Sequence, residues 1–144
     1  MMKKTEMKVF SEDKASHIIV EVKDSELLYY PSVNLYVEIA DGGFFGAHDV
    51  WVSLIDLMAF VTQLRQCEQT RQGKAILSSL DELEMVIEKS DGWGHFWLQY
   101  RLRRTSFTRR HTVAHSLVGA FDLDASLFAQ TVSEFADLLP DLVS

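Results

Sequence analysis

Two hydrophobic periods follow one another along this chain, and their order limits the folds that it can adopt. Ile18, Val20 and Val22 share one parity, and so do Val33, Leu35, Val37 and Ile39 in a later segment. Alternation with a period of two is typical of strands that bury one face. Pro31 separates the two segments, and the Asp-Gly-Gly at 41–43 marks a turn after the second. The first third of the chain is therefore predicted to form half-buried strands.

The period then changes to that of a helix. Over residues 54–64 apolar side chains recur at steps of three and four, and Ser53 stands at the N-cap position. This helix is expected to fade before Gly73. A second helix is predicted to begin near Asp124 and to end at Pro140. Its apolar stripe consists of Phe128, Val132, Phe135 and Leu139.

Alternation returns between the predicted helices, over residues 83–88, 96–102 and about 107–123. If the first two segments form a hairpin, both apolar sets must face one side of the sheet. In the predicted register Ile87 pairs with Phe96, Met85 with Leu98, and Leu83 with Tyr100. On the outer face this register places Glu82 opposite Arg101 and Glu88 opposite His95.

The third of these segments is predicted to turn back near Thr105-Ser106. Val113 and Leu117 then join the buried set. His111 and His115 also turn inward, which costs free energy unless they find partners.

Together these elements predict an α+β fold. It consists of an antiparallel β-sheet meander of about six to eight strands, with one helix inserted midway and one C-terminal helix. The length of 144 residues fits a single domain, 1–144.

Charge and composition restrict the partners and the compartment that we expect. The net charge of −7 disfavours binding to nucleic acid or anionic lipid. The charge-free stretch Leu27–Val37 is far shorter than the roughly 20 residues of a membrane helix. The single Cys67 cannot form an internal disulfide, which suits a reducing compartment. We therefore expect a soluble cytoplasmic protein that uses no membrane, no cofactor and no metal.

Positive charge is concentrated in one segment. Residues 92–121 contain no Asp or Glu but hold five of the seven arginines. One interpretation is a site for an anion or an acidic partner, with Trp97 as an aromatic anchor. The other is that Arg101 and its neighbours pair with glutamates across the hairpin, in exposed contacts of little functional meaning. Because Arg104, Arg109 and Arg110 have no acid opposite them in the predicted register, they are the better candidates for a site.

Several shorter motifs are weaker signals. His111 and His115 have a spacing that suits zinc on a helix, but on the predicted strand they lie roughly 13 Å apart, too far to share one ion. The glycine-rich segment 41–46 lacks the Lys-Ser/Thr of a phosphate loop, and Gly46 is predicted to permit a bulge or a close packing contact.

Two pairs of neighbouring side chains could serve acid–base chemistry. They are His48 with Asp49, and Asp91 with His95. Such chemistry requires hydrogen-bond reach and a cleft, neither of which sequence proximity establishes. Cys67 is interpreted as a small buried hydrophobe rather than a nucleophile.

From about residue 16 onward, the order of these signals resembles a group of small bacterial proteins that includes the WapI-type immunity proteins. The segments that carry the resemblance are 41–46, Trp51, Phe60 with Leu64, 73–77, Leu83-Glu84, 91–95 and 121–124. The resemblance implies a small α+β antitoxin-like protein that neutralises a toxin domain by binding it. It implies no catalytic residues.

We therefore expect a non-enzymatic binding protein, with an immunity protein as the specific hypothesis. An acidic surface would be steered toward a basic toxin site, and an aromatic side chain would anchor the contact. The expected acids are Glu21, Glu38, Glu82 and Glu84, with Trp93 or Trp97 as the anchor. Three alternatives stay open: a small enzyme with a His/Asp pair in a pocket between sheet and helices, an anion or nucleic-acid binder through hairpin 101–110, and a homodimer through the arginine surface.

Overall fold

The computed structural model describes residues 6–139 of the chain. Four strands precede a helix, and four more strands precede a short 3-10 turn and a second helix. The strands of the first half are β1 (Glu6–Phe10), β2 (Ser16–Glu26), β3 (Ser32–Asp41) and β4 (Phe44–Ser53). Those of the second half are β5 (Lys74–Ser79), β6 (Leu83–Lys89), β7 (Phe96–Phe107) and β8 (Thr112–Asp122). Helix α1 spans Leu54–Thr70, the 3-10 turn Ala125–Leu127, and helix α2 Phe128–Asp137.

The predicted α+β fold is confirmed, with one helix in mid-chain and one near the C-terminus. The eight strands form two antiparallel sheets, in the orders β1-β2-β3-β4 and β5-β6-β7-β8. Helix α1 divides the expected meander into these two sheets. The predicted turn at 41–43 joins β3 to β4: Gly42 and Gly43 both have positive φ, +58° and +94°, as a two-residue hairpin turn requires.

One hydrophobic cluster fills the space between the sheets and the helices. It includes inward residues of both sheets together with the apolar stripes of α1 and α2. Phe60 of α1 meets Phe135 of α2 edge to face at 5.1 Å, and Phe128 stacks on Phe96 of β7 at 4.7 Å. These aromatic contacts join α1 to α2, and α2 to the second sheet, within the core.

Polar contacts also join the two sheets. The Tyr100 hydroxyl of β7 donates to an Asp41 carboxylate oxygen at 2.5 Å, and the Ser79 hydroxyl donates to the Trp51 carbonyl at 2.5 Å. An isolated bridge between Ser11 and Leu123 joins the β1–β2 turn to the end of β8.

The helix ends follow the sequence prediction in most respects. Ser53 occupies the N-cap of α1 but its side chain makes no capping hydrogen bond. Arg71 closes α1 in the left-handed conformation, so the helix ends before Gly73 as predicted. The Asp124 side chain accepts a hydrogen bond from the Ser126 amide and begins the 3-10 turn that leads into α2. Pro140 lies outside the described residues. Within residues 6–139, neither helix has the length and apolar character needed to cross a membrane.

The predicted β6–β7 register is wrong by two residues, although the buried faces are right. The observed pairs are Leu83 with Leu102, Met85 with Tyr100, and Ile87 with Leu98. Arg101 therefore lies opposite Glu84 rather than Glu82, and Glu88 lies opposite Trp97 rather than His95. The connecting loop is centred between Gly92 and Trp93, one residue further along the chain than in the predicted register. The Asp91 carboxylate accepts hydrogen bonds from the Trp93 and His95 amides, and the Ser90 amide donates to the His95 carbonyl, which holds the loop in this position.

The β7–β8 turn also lies further along than predicted. It is formed by Thr108 to His111, whose backbones are hydrogen bonded at 2.8 Å, and not by Thr105-Ser106. The expected burial of His111 and His115 is wrong: both are exposed. His115 lies on the same face of β8 as Leu117, as predicted. However, this end of the hairpin extends beyond the core, so this face of the hairpin is open to solvent here. For the same reason Val113 is only half-buried.

Candidate functional site

The outer face of the first sheet carries a concentrated set of carboxylates. In the β1–β4 register Glu6, Glu21, Tyr36 and Asp49 lie directly opposite one another across the four strands. Glu38 lies on the same face, two residues along β3 from Tyr36. We call Glu6, Glu21, Tyr36, Glu38 and Asp49 the acidic face. Each of them is exposed or half-buried, so the whole row is accessible to solvent.

Tyr36 lies at the centre of the acidic face. Its hydroxyl donates to a Glu38 carboxylate oxygen at 3.0 Å, and the Lys23 ammonium lies 5.7 Å from its ring centroid. Burial raises the pKa of Tyr36, and the hydrogen bond to Glu38 and the charges of Glu38, Asp49 and Glu21 raise it further. The tyrosine therefore lies in a negative potential, which would attract a cationic group of a partner.

The four predicted acids do not form one surface. Glu21 and Glu38 both belong to the acidic face, with Glu21 also 3.4 Å from Lys23. Glu82 and Glu84 lie on the second sheet: Glu82 in the β5–β6 turn, and Glu84 on the outer side of β6.

Neither of the two tryptophans predicted as anchors, Trp93 and Trp97, lies on the acidic face. Trp93 projects from the β6–β7 loop with 87% of its surface exposed. Trp97 is half-buried on the outer face of the second sheet, opposite Glu88 and Asp122. Tyr36 is the aromatic residue within the row of acids, and Trp51, 47% exposed, lies two residues from Asp49 along β4 on the same face. The sequence shows that Tyr36 and Glu38 share a face of β3, whereas Glu6 and Asp49 join these two residues only through cross-strand pairing.

A cleft opens between the tips of the two long hairpins. Its volume is about 520 Å³, and it lies between edge strands β4 and β8. Four β4 residues, Phe44, Phe45, Gly46 and Ala47, form one wall; Leu102, Arg104, His115, Ser116 and Leu117 form the rest. We call this space the hairpin cleft.

Close packing closes the base of the hairpin cleft. A Cβ on Gly46 would lie 3.2 Å from a Leu117 methyl group, as the predicted close contact at this glycine requires. Phe44 and Phe45 stay 69% and 64% exposed at the rim. The cleft is therefore lined by both apolar and polar side chains, with Arg104 and its cross-strand neighbour His115 on one wall.

The arginines of hairpin 101–110 make no ion pair with any side chain in the described part of the chain. This is true of all five, including Arg101, although Arg101 lies opposite Glu84. Arg109 and Arg110 are exposed in the β7–β8 turn. Of the two interpretations of this segment, the cross-strand ion pairs are not observed, so the positive charge stays available to a partner.

One of the two suggested His/Asp pairs forms. The His95 Nδ1 atom lies 2.7 Å from an Asp91 carboxylate oxygen. This hydrogen bond raises the pKa of His95 and lowers that of Asp91. The His95 side chain is 56% exposed, beside a shallow groove that includes Arg71, Lys89 and Trp93.

The other suggested pair does not form, because His48 and Asp49 are neighbours in β4 and point to opposite faces. The His48 Nε2 atom is buried without a hydrogen bond, 3.7 Å from a Glu82 carboxylate oxygen. Cys67 is buried, and burial raises the pKa of its thiol. Across residues 6–139 no three metal-ligating side chains converge on one point.

Comparisons with known proteins place this geometry in no family. No family model matches the chain, and neither the curated proteins nor the solved structures provide a match. The resemblance to WapI-type immunity proteins stays a prediction.

Proposed function

We propose that this protein is a non-enzymatic binding protein that recognises a basic surface of another protein through its acidic face. The observation that carries the proposal is the row of carboxylates around Tyr36 on an open sheet face. The acids stand on neighbouring strands of one sheet, so their positions are fixed before binding and little conformational entropy is lost. A phenol among them supplies apolar contact area and a polar hydroxyl.

The specific role that we propose is immunity: neutralisation of a bacterial toxin domain in the cytoplasm. A toxin that acts on nucleic acid needs a basic active site, because its substrate is a polyanion. An acidic face of fixed geometry is complementary to such a site in charge. It would speed the encounter by electrostatic steering and then block access of the substrate.

A small enzyme is the second candidate, and the Asp91–His95 contact of 2.7 Å is the observation in its favour. A carboxylate can orient a histidine for general base catalysis. However, both side chains are more than a third exposed, and the adjoining groove is shallow. Catalytic histidines normally work in a site that excludes water, so this geometry favours binding over catalysis.

Co-expression with the protein encoded directly upstream tests the proposal. The test variant neutralises the acidic face with Glu21→Gln, Glu38→Gln and Asp49→Asn. The control variant removes three exposed carboxylates elsewhere, with Glu12→Gln, Asp81→Asn and Asp137→Asn.

We expect the wild type and the control to co-purify with this partner and to restore growth of cells that express it. The acidic-face variant should bind about 10- to 100-fold more weakly, since each charge contributes about 0.5–1 kcal/mol and 1.4 kcal/mol is tenfold. Equal loss in both variants would show an effect of net charge alone. Turnover of a small substrate that requires His95, without partner binding, would favour the enzyme.

A further inference from the structure

Strand β8 is a sheet edge that is open over its first half. It is the last strand in the order β5-β6-β7-β8, and within the described residues no strand pairs with its outer side from Thr112 to Ser116. Further along, Leu117 packs close to Gly46 of β4, and the Asp122 carbonyl accepts a hydrogen bond from the Glu12 amide beside the Ser11–Leu123 bridge. Edge strands are normally protected against further pairing by lysine, other charges or proline. From Thr112 to Phe121 the strand has no proline and no Asp, Glu, Lys or Arg. Its backbone can therefore pair with another strand.

The hairpin cleft runs beside this edge. Ser116 and Leu117 of β8 belong to its wall, and the exposed Phe44 and Phe45 stand on the opposite side. In a β-strand alternate side chains point to opposite faces. A strand added to β8 would thus direct every second side chain toward the cleft, where apolar groups would be buried against these phenylalanines.

Charge identifies the added strand as acidic. Two arginines of β7, Arg101 and Arg103, lie on the face turned away from the cleft, and Arg109 and Arg110 lie in the β7–β8 turn; within residues 6–139 none of the four makes an ion pair. A strand paired with β8 would lie about 10 Å from β7, two strand spacings. Extended arginine and glutamate side chains together span this distance. Carboxylates on the added strand could then reach the arginines and form charge-assisted hydrogen bonds.

We propose that β8 and the hairpin cleft bind an extended acidic segment of a partner protein by strand addition. The segment alternates apolar side chains, which enter the cleft, with carboxylates, which meet the arginines. A second copy of this chain fits less well, because pairing β8 with itself would bring two arginine hairpins together. The proposal goes beyond the acidic-face function: it uses another surface and a partner of opposite charge, so either can fail alone.

A fluorescein-labelled ten-residue peptide in which glutamate alternates with valine or phenylalanine tests charge recognition by fluorescence anisotropy. We expect saturable binding that weakens as salt increases. A peptide with lysine in place of glutamate should not bind. Arg103→Ala, on the outer face of β7, should weaken binding about tenfold, as expected for loss of one charge-assisted hydrogen bond. Arg65→Ala on the exposed side of α1 is the matched control and should leave the affinity unchanged.

Two isomeric peptides test strand pairing without altering the protein. In each peptide every second backbone nitrogen carries a methyl group. In one isomer the methylated nitrogens all lie on one edge of the extended peptide, and in the other isomer they all lie on the opposite edge. Only one edge can pair with β8, so one isomer should bind like the parent and the other at least about tenfold more weakly, since each lost hydrogen bond costs about 1 kcal/mol.

Three results would overturn the proposal. The first is equal binding of the glutamate and lysine peptides, and the second is equal binding of the two methylated isomers. The third is a dimer in sedimentation that excess peptide does not dissociate, because a second copy would then cover β8.

Discussion

Gly119 is the residue whose substitution tests the contact between the two sheets most sharply. It lies opposite Tyr100 in the β7–β8 register, and a Cβ at Gly119 would lie 2.3 Å from the tyrosine oxygen and 2.7 Å from the adjoining ring carbon. Real Cβ atoms do not approach other atoms this closely. The φ angle of Gly119 is outside the left-handed region, so only the lack of space restricts the position.

Gly119→Ala should therefore displace Tyr100 and break its hydrogen bond to Asp41. Loss of a hydrogen bond to a charged group costs about 1.5–3 kcal/mol, and overpacking a core costs about 1–3 kcal/mol. Asp41 keeps its second donor, the Ser16 hydroxyl at 2.5 Å, which limits the first cost. We expect the free energy of unfolding to fall by about 3 kcal/mol.

Urea unfolding followed by circular dichroism measures this change. Gly92→Ala is the control: its Cβ would meet no atom within 4 Å and its φ is unstrained, so its effect should stay within about 0.5 kcal/mol. In a Tyr100→Leu background, which removes the ring, Gly119→Ala should cost much less, and the double-mutant cycle isolates the contact. If Gly119→Ala matches Gly92→Ala, the β7–β8 register and the sheet-to-sheet bond are refuted.

Three further outcomes follow from the core and the loops. Asp91→Asn should lower the pKa of His95 toward its ordinary value, which NMR titration measures; an unchanged pKa would contradict the contact. In the wild type the pair stabilises the fold below about pH 6.5, and this stabilisation is lost as the pH rises through the raised pKa of His95. Phe60→Ala should lower the free energy of unfolding by about 3–5 kcal/mol in urea, because Phe60 is buried. Phe107→Ala, at a site that is 78% exposed, should change it by no more than about 0.5 kcal/mol, and similar changes in both variants would contradict the packing. Cys67 should react with a maleimide only in the unfolded protein, and fast labelling of the folded chain would contradict its burial.

The sequence predicts which face of each strand is buried, because side-chain parity is a local property. Met85 and Leu98 are fully buried, as the alternation indicates. The register of the same hairpin could not be read from parity, since a shift of two residues preserves it. The hydrogen bonds of Asp91 hold the loop one residue further along the chain than the predicted pairs require. Division into two sheets was equally hidden, because no local pattern states which strands pair across a helix.

The candidate sites illustrate the same limit. Glu21 and Glu38 were predicted, and their parity correctly put both on outer faces. Asp49 joins them only because β3 pairs with β4, which brings it opposite Tyr36. The hairpin cleft needs still longer-range information, since Phe44 and Arg104 are far apart in the chain and meet only when the two sheets pack.

The central claim is that the acidic face steers a basic partner into contact, and association kinetics test it most directly. For the complex with the upstream-encoded protein, stopped-flow measurements between about 50 and 500 mM NaCl should show an association rate constant that falls by tenfold or more as salt rises, with a nearly constant dissociation rate. The variant with Glu21→Gln, Glu38→Gln and Asp49→Asn should associate slowly and lose most of this dependence. An association rate that is insensitive to salt and equal in both proteins would contradict the claim.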